Sequence, residues 1–153
     1  MTAVKSEDAL ARQVTLMAKS YERLLGKPLL PSFPTPTVDQ LWAADFALLS
    51  HGTEEDPIFN YANQLALTLF ERSFEDFTKL PSRLSSKRVV DEDRIRLLER
   101  VTQQGYIDNY TGIRVSASGR LFEINDAVVW NLHDDDGDYR GQAAKISAWH
   151  YVD

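Results

Sequence analysis

The sequence predicts an α+β domain: a five-stranded antiparallel sheet with helices inserted between strands two and three, preceded by an N-terminal amphipathic helix. Three observations carry this. Apolar residues in 7–25 recur at helical spacing. Two short strand patterns in 45–62 turn straight into helical spacing at Asn63. From residue 106 onward the chain alternates, interrupted only at "ASG" and "DDDG", which have the composition of hairpin turns.

In chain order, "EDALARQVTLMAKSYERLL" places Leu10, Val14, Met17, Tyr21 and Leu24 on one stripe, and Gly26 and Pro28 stop the helix. "KPLLPSFPTPTV" has four prolines and no period, the composition of a stiff extended linker. Thr37 and Gln40 form a capping box for the short helix "VDQLWAA". "DFALLSH" is the first strand and "PIFNYA" the second, separated by the polar turn "GTEED". Asn63 sits where strand two becomes a helix. Its side chain can accept from an early helix N–H while its own backbone is still extended, so it is the expected helix cap. "NQLALTLFER" and "FEDFTKL" follow, the second started by Ser73 and ended before Pro81, and "PSRLSSKRVV" is loop. Asp91 caps "EDRIRLLERVTQQ", which Gly105 ends. Three long strands then form a meander.

Composition narrows the function classes. A chain of 153 residues, 43% hydrophobic and 26% charged, is that of one ordinary soluble domain. The net charge of -6 argues against a nucleic-acid binder. With no Cys, a disulfide framework, thiolate catalysis and a cysteinyl cofactor adduct are excluded. "MTAVKSEDALARQ" lacks the apolar stretch of a signal peptide and nothing approaches a membrane span, so a cytoplasmic location is expected and the sequon at Asn109 is irrelevant there.

"FALLSHGTEEDPIFNYANQLALTLFERSFEDFTKLPSRLS", "QGYIDNYTGIRVSASGRLFEINDAVVWNL" and "GDYRGQAAKISAWHYV" closely resemble the MEKHLA domain, a PAS-like family found as free-standing bacterial and algal proteins and at the C-terminus of plant class III homeodomain–leucine zipper factors. The likeness runs from about Leu30 to the C-terminus, with "SHGTEEDPIFNYAN" and "LPSRLS" the specific stretches. It divides the chain into a helix-plus-linker segment, 1–36, and a PAS-like domain, 37–153. One departure is Glu71 and Arg72 where PAS chains commonly carry a Gly between helices. The resemblance implies a sensory or regulatory interaction module and not an enzyme, acting through a small ligand, a signalling protein or a second copy. A cofactor-bearing photo- or redox sensor is the alternative, and a small enzyme ranks third.

PAS-like folds bind ligands between the inner sheet face and the inserted helices, which directs attention to inward polar residues. Simple alternation puts Phe122, Ile124, Val128, Trp130 and Leu132 on one face, interrupted by Asp126. It also groups Gln142, Ala144, Ile146, Ala148, His150 and Val152, and separately Ile107, Asn109, Thr111, Ile113 and Val115. Asn109, Asp126, Trp130, Gln142 and His150 are therefore the candidate pocket residues, weighed against a filled core of satisfied polar groups; a bulge near Asn125–Asp126 would turn Asp126 outward.

No cofactor is required. A haem site resembling the known PAS kind would want a His on the helix "EDRIRLLERVTQQ", which has none, so haem is disfavoured; without Cys a flavin of the cysteine-adduct type is excluded, and a non-covalent flavin or another cofactor remains open. Aligning Gly137 of "HDDDGD" with a calcium-loop glycine puts Leu132 and Ala143 at ligand positions, so a solvated hairpin turn is expected and no metal site. Cations of the basic "SRLSSKR" loop are expected in solvent, and Ser50 and His51, adjacent in a strand, point to opposite faces and cannot form a triad. The stripe Leu10, Val14, Met17, Tyr21 and Leu24 needs cover. If the prolines hold the helix off the sheet, a homodimer built on that stripe supplies it.

Overall fold

The computed structural model describes residues 7–85 and 99–152. The expected cap at Asp91 lies outside these residues. Helix α1 spans Glu7–Leu25, with Glu7 and Asp8 in its first turn and Arg23 in its last, charges that suit the helix dipole. It ends at Gly26, which adopts φ 75° and donates its N–H to the Glu22 carbonyl at 2.9 Å. Next come α2 (Val38–Trp42), β1 (Ala47–His51), β2 (Phe59–Ala62), α3 (Gln64–Phe70), α4 (Phe74–Phe77) and a 3₁₀ turn (Ser82–Ser85). Residues 99–104 are helical and lead through Gly105 into β3 (Tyr106–Val115), β4 (Leu121–His133), β5 (Tyr139–Ile146) and β6 (Ala148–Tyr151). The sheet order is β2-β1-β5-β4-β3, all described pairs being antiparallel. The expected fifth strand is present in two segments, β5 and β6, broken at Ser147 and both paired with β4.

Each sheet face has its own core. On the helix side, Ala47, Leu49, Phe59, Phe122, Ile124, Ala127 and Ile146 pack with Ala66, Leu69, Phe70 and Phe77 of α3 and α4. Phe59 and Phe77 stack there with centroids 4.2 Å apart. On the outer side, Leu48, Tyr61, Trp130, Leu132 and Ala143 pack against Val14, Met17 and Tyr21 of α1. The Tyr61 hydroxyl is buried there without a hydrogen-bond partner, and burial raises its pKa above the usual tyrosine range. Tyr61→Phe is therefore expected to stabilise the fold by about 1 kcal/mol, measured as a higher urea midpoint.

The expectation that the proline-rich segment holds α1 away from the sheet, leaving the stripe to a second chain, is corrected here. Val14, Met17 and Tyr21 are 1%, 0% and 2% exposed within a single chain, and Leu10 and Leu24 are partly buried beside them. The linker is an anchor and not a strut: Leu29 is 1% exposed in the same core, and a turn from Leu30 to Phe33 folds the segment back. Polar ties fix the docking. Trp130 Nε1 donates to the Met17 carbonyl at 3.2 Å, Gln13 Nε2 to Ser50 Oγ at 3.0 Å, and Arg23 Nη2 to the His133 carbonyl at 2.6 Å.

The expected faces of β4 are also corrected. Asp126 adopts φ 51°, a left-handed conformation that Asp tolerates better than most residues. The extra residue shifts the alternation, so Phe122 and Ile124 face the helices while Trp130 and Leu132, of the same parity, face α1. After Ser147 the alternation of the last strand shifts as well. Trp149 pairs with Ile124 and packs in the helix-side core, while His150 pairs with Glu123. In β3, register shifts on both sides of Tyr110 bring that residue, rather than Asn109, against the helix-side core.

Glu71 occupies the position where a Gly was expected, at φ 58° as the C-cap of α3. Its carboxylate accepts from the Ser118 N–H and hydroxyl, tying α3 to the β3–β4 turn; hydrogen bonds from the Ser116 and Ser118 hydroxyls hold its pKa below the usual range. A true glycine requirement exists at Gly141, whose φ is 121° and where a Cβ would fall 2.0 Å from the His51 carbonyl oxygen. Gly141→Ala is expected to cost about 3 kcal/mol by forcing β5 off β1, checked by chemical unfolding.

Candidate functional site

The helix-side face is apolar over most of its area, and its polar part is a short row. β1, β5 and β4 are neighbours, and their register sets His51 beside Gln142 and Gln142 beside Asn131. Alternation from Ala47 and Leu49 puts His51 on the helix side, and alternation from Ile146 does the same for Gln142. All three side chains are half-buried. Gln142 Nε2 donates to Asn131 Oδ1 at 3.0 Å, and Asn131 Nδ2 donates at 3.2 Å to the carbonyl of the buried Val101. His51 Nδ1 lies 3.0 Å from the Gly52 carbonyl. The row therefore links the middle strands of the sheet to the helical segment 99–104.

Of the five residues expected to share a pocket, only Gln142 lies in this row. Trp130 is fully buried on the opposite face beneath α1. Asp126 is exposed at the bulge, and Asn109 is exposed on β3. His150 is exposed on β6, with Nδ1 3.1 Å from Asn125 Oδ1 and Nε2 3.5 Å from Glu123. The structure thus separates these residues instead of gathering them. Asn131 and His51 were missed. Asn131 falls on the α1 side under unbroken alternation, and only the left-handed Asp126 moves it to the helix side. His51 closes "DFALLSH", and only the β1–β5 pairing, which alternation within one strand does not reveal, sets it beside Gln142.

Two other features lie apart from the row. A shallow groove of about 390 Å³ runs between α2 and α3, lined by Trp42, Ala44, Asp45, Gln64, Leu65 and Thr68. At the β4–β5 turn, carboxylate oxygens of Asp134, Asp136 and Asp138 come within 4.8 Å of one another. Asp134 is engaged by its own turn: the Asp138 N–H, then Arg140 and the Asp136 N–H, hold its carboxyl below the usual range. Among the described residues no helix is long and apolar enough to cross a membrane.

The MEKHLA domain model matches residues 11–151, nearly the whole chain. The chain belongs to the MEKHLA domain family. Among relatives of this MEKHLA chain, the homeobox-leucine zipper protein ATHB-9 of Arabidopsis thaliana is 31% identical over 118 residues, covering 74% of this chain and 14% of the relative. HOX9 of Oryza sativa subsp. japonica, another homeobox-leucine zipper protein, is 26% identical over 143 residues, covering 89% of this chain and 16% of the relative. The MEKHLA chain thus spans about one-seventh of the length of these plant proteins. Its fold is that of PAS and light-oxygen-voltage domains. A light-oxygen-voltage domain solved with a flavin analogue superposes with TM-score 0.57 at 16% identity, over 76% of this chain and 84% of that one. The light-state dimer of the fungal blue-light photoreceptor Vivid gives 0.55 at 15% identity, over 68% and 78%. A PAS domain of a two-component sensor histidine kinase gives 0.54 at 17% identity, over 73% and 89%. The match from residue 11 takes in most of α1, in keeping with the shared core of helix and sheet.

Proposed function

We propose that this MEKHLA chain is a non-catalytic sensory or regulatory module that binds a small molecule on the helix-side face of its sheet. One observation carries the reading. The row His51–Gln142–Asn131 places half-buried polar groups, with hydrogen-bonding capacity left over, at the border of an otherwise apolar and aromatic face. Among the described residues the Tyr61 hydroxyl is the buried side-chain polar group without a partner, so the spare groups of the row are open to an incoming molecule. Such a combination of apolar surface and a few directed polar groups suits a small ligand.

An absorption spectrum and a native mass spectrum of freshly purified protein test the reading. A retained mass, released on denaturation, supports it. Visible absorption with that mass selects the cofactor-bearing sensor, and the absence of Cys excludes a cysteinyl adduct. A chain that is ligand-free in both, and stays so after incubation with cell extract, counts against it. Gln142→Leu leaves Asn131 Oδ1 without its donor and is expected to cost about 1 kcal/mol while lowering retention of the bound mass. The same mass spectrum reports assembly. Because Val14, Met17 and Tyr21 are engaged by their own sheet, a homodimer would use a different surface.

A further inference from the structure

Two main-chain carbonyls fix the hydrogen-bond polarity of the row. The Val101 carbonyl can only accept, so Asn131 presents Nδ2 to it and turns Oδ1 towards Gln142. Gln142 must then donate through Nε2, which leaves Oε1 directed elsewhere. Flipping the Gln142 amide would set its oxygen against Asn131 Oδ1, and flipping both amides would set an oxygen against the Val101 carbonyl. At the other end the Gly52 carbonyl requires the proton of His51 on Nδ1, so Nε2 of the neutral ring carries a lone pair. Among the described residues neither His51 Nε2 nor Gln142 Oε1 receives a hydrogen bond. The two residues are directly paired across β1 and β5, a relation that sets Cβ atoms about 5 Å apart. Two acceptors on paired residues cannot satisfy each other.

We propose, resting on the ligand reading above, that the row selects a ligand with a hydrogen-bond donor, such as a hydroxyl, an ammonium or a ring N–H, seated between His51 Nε2 and Gln142 Oε1. A ligand offering only acceptors there would face two lone pairs and be rejected, and apolar contact with the rest of the face would not compensate for the unpaired groups.

Phenol and anisole share a ring and differ by the hydroxyl donor, so they serve as the probe pair. Each is titrated at pH 8 into the full chain labelled with ¹⁵N, following the Gln142 and Asn131 side-chain amides and the His51 ring. Phenol is expected to shift these signals saturably and to bind at least fivefold more tightly than anisole. In His51→Phe and Gln142→Leu the preference should fall to within twofold while cooperative unfolding is kept; the two variants are independent, so one failing to fold leaves the other as the test. Equal binding of both probes at these signals overturns the donor selectivity and leaves the ligand reading standing. Perturbation by neither probe up to its solubility overturns both.

Discussion

Asn63→Ala is expected to lower unfolding free energy by about 4 kcal/mol, a large part of the 5–15 kcal/mol typical of a domain. A lost helix cap alone is worth about 1 kcal/mol. The larger figure follows from four hydrogen bonds made by one fully buried side chain. Oδ1 accepts from the Ala66 N–H at 3.1 Å and the Leu48 N–H at 3.0 Å, while Nδ2 donates to the carbonyls of Leu41 at 3.0 Å and Phe46 at 2.9 Å. Alanine would strand main-chain groups of α2, β1 and the β1 approach where water does not reach. Asn63→Asp keeps the acceptor but turns an oxygen towards two carbonyls, so it should fare no better. Urea unfolding of both variants checks this, and a loss of 1 kcal/mol or less for alanine would show that Asn63 acts as a cap only.

Met17→Glu is expected to have an effect of similar or greater size, about 5 kcal/mol at pH 8. Met17 is 0% exposed between α1 and the sheet, and its carbonyl receives Trp130 Nε1. A carboxylate there loses its hydration on entering an apolar layer. Burial disfavours the charged form and raises the new group's folded pKa above its unfolded value. The folded state then binds the proton more tightly, so the penalty is smallest at low pH and grows as pH rises. Thermal unfolding at pH 5 and pH 8 measures this, with Met17→Leu as a volume-matched control costing less than about 1.5 kcal/mol. Unchanged melting of Met17→Glu would mean that α1 does not depend on this contact.

Local chemistry made much of the fold legible. Thr37 with Gln40, Ser73, and Asn63 at the corner cap their helices as their side chains dictate. The succession of elements along the chain followed from hairpin turns and from the helices interposed after β2, whereas the β1–β5 pairing that closes the sheet order did not. What failed was inference across distance. Four prolines suggested a strut, yet the placement of α1 was decided by Leu29 and by the apolar outer face formed by Leu48, Trp130 and Leu132, residues remote in sequence. The site was half legible for a related reason. Gln142 could be found by alternation within its own strand, whereas Asn131 depends on a backbone conformation at Asp126 that an ordinary aspartate does not announce.

That single left-handed residue acts on β4 much as a frameshift acts on a message. Upstream of it, even-numbered side chains belong to one layer of the protein; downstream they belong to the other. Removing or adding one residue between Asn125 and Ala127 would exchange the surroundings of everything out to His133, thrusting the Trp130 indole into the aromatic helix-side layer and pressing the Asn131 amide against α1. Length changes at the strand's two ends, in the turns at 116–119 and 134–138, leave the faces of β4 as they are, and in the first turn they cost only the local ties of Ala117 to Phe70 and of Ser118 to Glu71. Among relatives of this chain, the middle of β4 should therefore be fixed in length while its flanking turns vary.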